Sequence, residues 1–543
     1  MKRADRRAAV SAPLGERGRL FVVTRDEMRR MDADAIARGT AGETLMERAG
    51  ELAADVLRRR FRRELRRGVL VVAGKGNNGG DAFVIARHLR RRRVPVEVIL
   101  VARESEVAGD ARANLLRWKR MRGPIREIAQ GGLIVLAERA SRAGVIVDGL
   151  FGTGLRGTLD ERSQAIVEAL NAAPAPILAV DVPSGLDADR GLPLGAAVQA
   201  TVTVTFAYPK VGLIVHPGAE FAGEVVVADI GIPPEALREV APRQRVLTSA
   251  RVGSALPRRS PDSHKGIYGH VLVLAGSLGK SGAALLCGRA ALRAGSGLAT
   301  IASPAPALGG HLAQTPELMT EPLPDHEGGW RFANGDAPRL LRLFDGKDAL
   351  VFGPGIGVTP ATRALSEWLI ASSPLPLVID ADGLNCLAGQ IGWLKRHRCP
   401  IVLTPHPGEM ARLLVCSTGD VQGDRVDAAR RLAADYGVTV VLKGARTVIA
   451  DPGGVVAINP TGNPGMASGG MGDALAGMIG SLLAQGLEAT EAAEVGVFWH
   501  GAAADRVASR LGEAGLLASD VIDELPPTLR GLQDELFADA PRY

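Results

Sequence analysis

The sequence predicts an α/β protein in which two different domains, each with a mostly parallel sheet, follow one another along the chain. The 543 residues exceed what one hydrophobic core usually organises, so two large domains are expected. Short apolar runs alternate with helical patterns, which is typical of parallel sheets with helices on both faces. The alternation is interrupted at 231–262, and the two halves share no motif. The predicted strands are 69–73, 96–101, 145–148, 177–181, 202–206 and 225–228, then 271–275, 298–302, 349–352, 377–380, 401–404, 438–442 and 446–450.

Prolines mark the predicted boundary between the two domains. Pro233, Pro234 and Pro242 lie in a stretch that offers little to a core, which indicates a linker. The N-terminal residues are basic but lack the apolar segment of a secretory signal. The predicted segments are a flexible basic tail (1–19), a first domain (20–232), a linker (233–246), a second domain (247–530) and a C-terminal tail (531–543).

Charge and hydropathy exclude several classes of partner. The net charge is only +6, and the arginine runs at 58–67 and 90–93 have no interleaved aromatic residues for base stacking. These runs are typical of solvated helix faces, so no nucleic-acid partner is expected. No segment is long and apolar enough to span a membrane, so no membrane partner is expected either.

Cysteine usage and composition bear on location and assembly. The four cysteines, Cys287, Cys386, Cys399 and Cys416, lack the spacing of a zinc site and are expected to be reduced in a cytoplasmic protein. Hydrophobic residues make up 46% of the chain but aromatic residues only 4%, so alanine, valine and leucine must form the core. Helices of this kind are compatible with a homo-oligomer, which we expect.

The first candidate site follows the strand 69–73. Glycines in the loop 74–81 let backbone amides approach a phosphate, and the helix that follows adds its N-terminus to the same anion-binding concavity. The spacing fits neither the dinucleotide fingerprint nor the phosphate loop of nucleotide hydrolases. A nucleotide-like ligand is therefore predicted, and the plain alternative is a tight turn between strand and helix.

Two further strand ends of the first half carry polar residues. Asp148 opens the glycine-rich turn 148–157, and Asp181 opens the turn 181–187. A carboxylate at the end of an inner strand needs a cation or hydrogen bonds to remain charged. The oxygens of Asn78, Asp148 and Ser184 suit an alkali or alkaline-earth ion better than zinc. The alternative is that each aspartate only caps the helix after it.

The second half has its own candidate site. The glycine-rich turn 463–473 precedes an apolar helix, which makes an anion hole for a transferring phosphate, and Asp473 beside it can act as a general base. Taken alone, Asp473 could equally be an ordinary first-turn residue. Other polar strand ends in this half are 353–357, 380–385, 404–409 and 443–447. Such a set predicts a nucleotide site and a second ligand site.

The first half resembles the NAD(P)HX epimerases, the N-terminal type of YjeF-like proteins, over about 20–232. The resemblance is carried by the motifs GKGNNGGD (74–81), DGLFGTGLRG (148–157) and DVPSGLD (181–187). It implies a Rossmann-like doubly wound domain that interconverts the R and S forms at C6 of hydrated NADH or NADPH. It also implies that Asn78, Asp148 and Ser184 bind potassium and that Asp181 is catalytic. The implied substrate-binding residues are Asn77, Asn78, Gly79, Gly80, Asp81, Gly152, Thr153, Gly154, Leu155, Arg156, Gly157, Thr158 and Asp181.

The second half resembles the ADP/ATP-dependent NAD(P)HX dehydratases, whose fold is ribokinase-like, over about 247–525. The implied reaction phosphorylates the C6 hydroxyl of the S hydrate and eliminates phosphate, with Asp473 as the base. Magnesium is expected for phosphoryl transfer, and the fused arrangement resembles the bacterial type, which uses ADP. The implied substrate contacts are Ala283, Gly355, His406 and Asp473, and the implied nucleotide contacts are Lys443, Gly444, Ala445, Arg446, Thr447 and Gly472.

Together the halves predict a bifunctional repair enzyme acting on NADHX and NADPHX with ADP or ATP. The alternative is a ribokinase-like small-molecule kinase with a non-catalytic nucleotide-binding module in front of it. A stable phosphorylated product would favour that alternative.

Overall fold

The computed structural model describes residues 10–11, 20–128, 132–256, 259–308 and 315–536. Two compact units divide between Gln244 and Arg245. Among the helices of these residues, none combines the length and apolar character needed to cross a bilayer. The four cysteines are free thiols, of which Cys416 is exposed and the other three are buried.

The described residues of the first unit form nine strands and nine α-helices. The strands are β1 (Val10–Ser11), β2 (Leu20–Val22), β3 (Val69–Ala73), β4 (Val96–Leu100), β5 (Ile125–Glu127), β6 (Val145–Gly149), β7 (Ile177–Val180), β8 (Val202–Phe206) and β9 (Glu224–Ala228). The helices are α1 (Arg25–Ala37), α2 (Gly42–Arg60), α3 (Asn77–Arg91), α4 (Gly109–Arg120), α5 (Leu133–Arg142), α6 (Glu161–Asn171), α7 (Val211–Ile214), α8 (Gly218–Ala222) and α9 (Pro234–Val240).

Eight of these strands form one sheet, in the order β1-β9-β8-β7-β6-β3-β4-β5, and their pairings are parallel. Alternate residues of β3 face opposite sides: Val69 and Val71 join a core with helices α1 to α4, whereas Leu70 and Val72 join a core with α5 and α6. The predicted doubly wound α/β fold is therefore confirmed, and the continuous apolar runs reflect burial on both faces.

The second unit is built around a larger sheet. Strand β10 (Gln244–Val246) crosses the division between the units. The other strands are β11 (His270–Leu274), β12 (Leu298–Pro304), β13 (Met319–Leu323), β14 (Asp325–His326), β15 (Gly329–Trp330), β16 (Ala349–Phe352), β17 (Leu377–Ile379), β18 (Ile401–Leu403), β19 (Thr439–Leu442), β20 (Val448–Ala450) and β21 (Val456–Ile458). The helices are α10 (Ser249–Ala255), α11 (Ser281–Arg293), α12 (Ala337–Phe344), α13 (Pro360–Ser372), α14 (Asp382–Leu387), α15 (Pro407–Leu414), α16 (Thr418–Gly423), α17 (Arg425–Tyr436), α18 (Met471–Ala484), α19 (Ala489–Leu511) and α20 (Ala518–Leu536).

From β13 to β21, this sheet runs in the order β13-β12-β11-β16-β17-β18-β19-β20-β21. It is parallel from β13 to β19 and antiparallel from β19 to β21. Helices α11, α18 and α19 bury one face of it in a core that includes Cys287, Ile479 and Trp499. The α/β class predicted for the second half is confirmed, with antiparallel strands at one edge.

Two predicted boundaries require correction. The stretch 233–246, predicted as a linker, contains helix α9, whose Ala236 is fully buried in the first core. Proline at the first helical position is favourable because that residue needs no intrahelical N–H bond, so Pro234 starts a helix here. The predicted C-terminal tail also begins too early, since α20 continues to Leu536 and buries Leu532. The tails 1–9, 12–19 and 537–543 lie outside the described residues.

Candidate active sites

Helix α3 starts earlier in the chain than we predicted from the sequence, which placed residues 74–81 in a glycine-rich loop. Its first residue is Asn77, so part of the predicted loop forms the first turns of the helix, with Gly76 as N-cap. A Cβ on Gly79 would lie 1.9 Å from the carbonyl oxygen of Gly74, and one on Gly80 would lie 2.7 Å from Met46 Sδ. These two glycines therefore permit close packing and lie behind the cavity lining, while the helix N-terminus faces the cavity through Asn77 and Asn78.

Asp148, at the end of β6, lies in a cluster of oxygen atoms. Its carboxylate accepts hydrogen bonds from Ser184 Oγ (2.6 Å) and from the Ser184 backbone N–H (2.8 Å). Ser184 Oγ is 3.1 Å from the Phe151 carbonyl oxygen, which accepts a hydrogen bond from Asn78 Nδ2 (2.9 Å). Burial raises the pKa of Asp148 to about 6, although the hydrogen bonds from Ser184 oppose the rise. The structure thus brings the three predicted cation ligands into one hydrogen-bonded network.

Asp181 follows β7 with a φ of 64°, a left-handed conformation that is strained for a residue other than glycine. Its Oδ1 accepts hydrogen bonds from Lys210 Nζ (2.5 Å), Thr205 Oγ1 (3.1 Å) and the Phe206 N–H (3.3 Å). The Lys210 side chain is 1% exposed. Because a buried ammonium group must be paired, the ion pair fixes the orientation of the Asp181 carboxylate.

These groups surround a cavity of about 1150 Å³ in the first unit. Of the predicted substrate residues, its lining includes Asn77, Asn78, Asp81, Gly152, Thr153, Gly154, Leu155, Arg156 and Asp181. Gly79, Gly80, Gly157 and Thr158 are outside this lining, and Asp148 and Ser184 are fully buried beneath the surface.

Several ionisable residues of this cavity were missed by the sequence reasoning, and two of them lie beside Asp181. Lys210 and Asp32 both line the cavity beside Asp181. Burial raises the pKa of Asp32 to about 6, with Lys210 opposing the rise and Asp181 adding to it. Burial also raises the pKa of Asp81 well above its ordinary value, and the nearby Asp181 and Asp32 add to it. The strain at Asp181 and the buried lysine carry no signal in an isolated sequence, because both depend on contacts between distant segments.

The second site is centred on an ion pair at the carboxyl ends of β17 and β19. Lys443 Nζ lies 2.7 Å from Asp380 Oδ1 and 3.8 Å from Glu409 Oε2. Thr404 Oγ1 donates a further hydrogen bond to Asp380 (2.8 Å). Burial opposes the charge on Lys443, but the carboxylates of Asp380 and Glu409 raise its pKa. The lysine is therefore held as an ammonium group among acidic residues.

Asp473 lies in the first turn of α18, close to this ion pair. A Cβ on the preceding Gly472 would lie 3.3 Å from Lys443 Nζ and 3.5 Å from Asp380 Oδ2. Burial raises the pKa of Asp473 to about 6, with Asp380 adding to the rise and Lys443 opposing it. Gly470 precedes the helix in a left-handed conformation (φ 88°), so the turn is of the glycine-requiring kind that was predicted.

A cavity of about 490 Å³ opens beside Asp473. Its lining includes Ala283 and Gly355, together with polar residues that sequence reasoning did not select as site residues: Lys280, Asp382, Asn385 and Glu409. Lys280 Nζ lies 3.4 Å from Asp382 Oδ2. The cavity therefore presents one cation and several carboxylates to a ligand.

His406 caps helix α15. Its ring Nδ1 accepts hydrogen bonds from the N–H groups of Gly408 (3.0 Å) and Glu409 (3.4 Å). Partial burial and the nearby Lys443 lower the pKa of His406, so the ring is neutral near pH 7. The side chain is 51% exposed and lies outside the cavity lining, next to Glu409, which is part of it.

The predicted nucleotide segment 443–447 connects the antiparallel strands β19 and β20. Gly444 has a φ of 137°, and a Cβ there would lie 3.0 Å from Arg425 Nη1. Arg446 Nη1 donates to the carbonyl oxygen of Pro460 (3.2 Å), and Thr447 Oγ1 donates to that of Gly444 (2.9 Å). Ala445 lies between them in the same turn. The segment starts at Lys443 and thus adjoins the acidic cluster.

Comparisons with known proteins match both halves of the chain. The family model described as YjeF-related protein N-terminus matches residues 42–212, and the one described as NAD(P)H-hydrate dehydratase matches residues 271–527. The chain is 43% identical over 520 residues to the bifunctional NAD(P)H-hydrate repair enzyme Nnr of Moorella thermoacetica, covering 95% of this chain and 98% of that one. It is 38% identical over 504 residues to Nnr of Escherichia coli, covering 92% of each chain.

Among solved structures, the chain is similar to the ADP/ATP-dependent NAD(P)H-hydrate dehydratase from Bacillus subtilis co-crystallised with ATP and Mg²⁺. The sequences are 31% identical, the match covers 53% of this chain and 98% of that chain, and the TM-score is 0.45.

Fold and sites define an enzyme with two α/β domains in tandem, each with a polar cavity at the carboxyl ends of parallel strands. The chain belongs to the family of bifunctional NAD(P)H-hydrate repair enzymes. The family resemblance of each half is confirmed, and the structure confirms a doubly wound α/β domain followed by a second α/β domain.

Proposed function

We propose that this chain repairs hydrated nicotinamide nucleotides. The first domain interconverts the R and S epimers of NADHX and NADPHX, and the second converts the S epimer to NADH or NADPH at the expense of ADP. The observation that carries the proposal is the 43% identity to a bifunctional repair enzyme along 95% of the chain, because it includes both sites at once.

In the first domain, the proposed catalytic residue is Asp181. Epimerisation at C6 can proceed by ring opening, in which the C6–N1 bond breaks and the hydroxyl oxygen becomes a carbonyl until the ring closes again. It can also proceed by loss and return of the hydroxyl group through an iminium-like species. A fixed carboxylate beside the ring stabilises such a cation electrostatically. Lys210 and Thr205 hold Asp181 Oδ1 in place, so its other oxygen is available to the cavity. The α3 N-terminus and the loop 152–158 would bind the nucleotide phosphates and sugar.

Potassium would be held by Asn78, Asp148 and Ser184, whose network includes carboxylate, hydroxyl and carbonyl oxygens. Such hard neutral and anionic oxygens suit an alkali ion. Bound there, the ion supplies positive charge beneath the loop that starts at Gly152.

Potassium binding can be tested by thermal unfolding in potassium chloride and lithium chloride of equal ionic strength. We expect potassium to raise the Tm of the first domain in the wild type, because ligands that bind the native state stabilise it. The isosteric variant Asp148→Asn should lose this difference. Equal Tm values of the wild type in both salts would contradict the potassium site.

In the second domain, Asp473 is the proposed base. It removes the proton from the C6 hydroxyl, the oxygen attacks the terminal phosphoryl group of ADP, and AMP leaves. Elimination of the phosphate, with loss of the C5 proton, then restores the dihydronicotinamide ring. Ala283, Gly355 and His406 are the proposed substrate contacts beside this base, and the segment 443–447 with Gly472 is the proposed contact for the adenine nucleotide.

Magnesium would neutralise charge on the transferring phosphoryl group. No group of three or more acidic, histidine or cysteine side chains arranged to hold a metal is found within the part of the chain that the structure describes. Mg²⁺ commonly binds through substrate phosphates and only one or two carboxylates, and the cavity offers Asp382 and Glu409 for that role. The preference for ADP over ATP, the cytoplasmic location and the homo-oligomeric state stay predictions.

The experiment that separates this function from a small-molecule kinase uses the purified S epimer of NADHX with ADP and Mg²⁺. The proposal predicts that NADH absorbance, AMP and inorganic phosphate appear in equal amounts. Accumulation of a stable phosphorylated hydrate without NADH would contradict the proposal and favour the kinase.

A further inference from the structure

Helix α1 presents one of its faces to the cavity of the first domain. Met28, Arg29, Asp32 and Ile36 line the cavity with the helical spacing of a single face. Thr24 and Glu27 form a capping box at the start of this helix, which fixes its first turn. Asp32 is thus placed on a rigid element.

The two aspartates Asp32 and Asp181 differ in their partners. Asp181 Oδ1 accepts three hydrogen bonds, one of them from the ammonium group of Lys210, so Asp181 is held as an acceptor. In contrast, no hydrogen bond or ion pair joins the Asp32 carboxyl group to any other residue that the structure describes. Carboxyl groups whose surroundings differ in this way commonly divide the acid and base roles between them.

The charges around Asp32 come from several elements. Lys210, Asp181 and Asp81 line the same cavity from other elements, and Arg25, Asp26 and Arg29 do so from α1 itself. Asp81 is only 8% exposed, whereas Asp32 is half-buried and keeps access to solvent. A group that must exchange protons repeatedly needs such access, which favours Asp32 over Asp81.

We propose that Asp32 is a second catalytic residue of the epimerase domain, which protonates the departing C6 hydroxyl group and recovers the proton when water returns. The inference rests on the proposed epimerase function. The Asp32 carboxyl gives its proton to the hydroxyl oxygen, the C6–O bond breaks, and water leaves while the N1 lone pair forms an iminium cation. The carboxylate of Asp181 faces this cation. Water then adds to either face of C6 and returns one proton to Asp32, so that atoms and charges balance.

The pKa of Asp32, which burial raises to about 6, suits this role because a general acid works best when its pKa is near the working pH. The protonated form is the active one. Epimerisation by the wild type should therefore slow as the pH rises through about 6.

The test uses the full chain with ADP and Mg²⁺. The S epimer is consumed first, and conversion of the remaining R epimer then reports on the epimerase. In the variant Asp32→Asn, kcat for the R epimer should fall by about 100-fold or more, because general acids contribute roughly 10²- to 10⁴-fold. KM should change little. The decline of the epimerisation rate with rising pH, expected of the wild type, should flatten. Asp32→Glu, which keeps an acid at this position, should recover part of the rate.

The matched control is Asp34→Asn, on the same helix but outside the cavity, where Asp34 pairs with Arg38 (2.6 Å). Its kcat should equal that of the wild type. If Asp32→Asn converts the R epimer as fast as this control, or keeps the wild-type pH profile, the role of Asp32 is overturned. If the wild type itself does not exceed spontaneous epimerisation, the proposed epimerase function fails instead. Should Asp32→Asn not fold, the wild-type pH profile decides, and a rate that does not fall as the pH rises overturns the proposal.

Discussion

Both sites contain a lysine that is paired with an aspartate at the end of a strand, and the Lys210 side chain is buried whereas that of Lys443 is 20% exposed. Lys210 binds Asp181 (2.5 Å) in the first domain, and Lys443 binds Asp380 (2.7 Å) in the second. In each case the pair fixes the orientation of a carboxylate. Removing one partner of a buried pair leaves an uncompensated charge. This lowers the free energy of unfolding far more than the loss of a surface ion pair does.

Replacing Lys210 tests this idea in the first domain. The variant Lys210→Met should destabilise the domain by about 3 kcal/mol, because it leaves the Asp181 carboxylate without its counter-ion. It should also abolish conversion of the R epimer. Unfolding in urea and the R-conversion assay measure the two effects.

Lys119→Met is the matched control for this prediction. Lys119 forms an exposed pair with Glu104 (2.8 Å), so its loss should cost less than about 1 kcal/mol. Equal stability of the two variants would show that the Lys210–Asp181 pair is not a buried structural interaction.

The pH dependence of dehydration tests Asp473 as a base. Burial and Asp380 raise the pKa of Asp473 to about 6, and a base is active only when it is ionised. The rate with the S epimer should therefore fall as the pH drops through about 6. A rate that stays constant through this range would contradict the assignment.

Individual site residues could be predicted from the sequence only where they belong to a recognisable motif. Asp148 and Asp473 were predicted because each follows or begins a recognisable glycine-rich turn. Lys210 and Asp32 were missed, since Lys210 lies 29 residues from its partner Asp181 and Asp32 reaches the cavity from a helix without a motif. Contacts of this kind exist only after the sheet has formed.

At the level of elements, helix α18 carries Asp473 and depends on close packing against α11. A Cβ on Gly477 would lie 2.0 Å from the carbonyl oxygen of Cys287, which is backbone and cannot move aside easily. The glycine therefore sets how closely the two helices approach.

The variant Gly477→Ala should destabilise the second domain by about 2 kcal/mol or more, because overpacking forces the helices apart. It should also slow dehydration, since α18 would shift with Asp473. Thermal unfolding and turnover of the S epimer are the measurements.

Gly423→Ala provides the control at a helical glycine with open space. Nothing lies within 4 Å of a Cβ at Gly423, so this change should alter stability by less than about 1 kcal/mol. If Gly477→Ala lowers the stability of the second domain no more than Gly423→Ala does, the close contact between α11 and α18 is contradicted.

Most strands were predictable where burial is continuous, although the fully buried β21 was missed. The strands β3, β6 and β16 match the apolar runs because both faces of the sheet are covered. The edge strand β13 and the short hairpin of β14 and β15 were missed, since their residues are partly exposed and give no apolar run.

For the whole molecule, each unit has its own hydrophobic cores and its own cavity. The tandem arrangement makes chemical sense, because an epimerase supplies a dehydratase that accepts one epimer. The number of domains could be predicted from the chain length and from the interruption, at 231–262, of the alternation between strands and helices. The boundary was less predictable, because prolines that were interpreted as linker start a packed helix.

The central claim is that both domains act on the same pool of hydrated nucleotide. The most direct measurement follows the return of NADH absorbance from a mixture of R and S NADHX with ADP and Mg²⁺. Wild type should restore all of it. Asp181→Ala should restore the S fraction at the normal rate and the R fraction only as fast as it epimerises spontaneously, and Asp473→Ala should restore none. Absorbance that does not return with wild type, or returns undiminished in Asp473→Ala, would contradict the account.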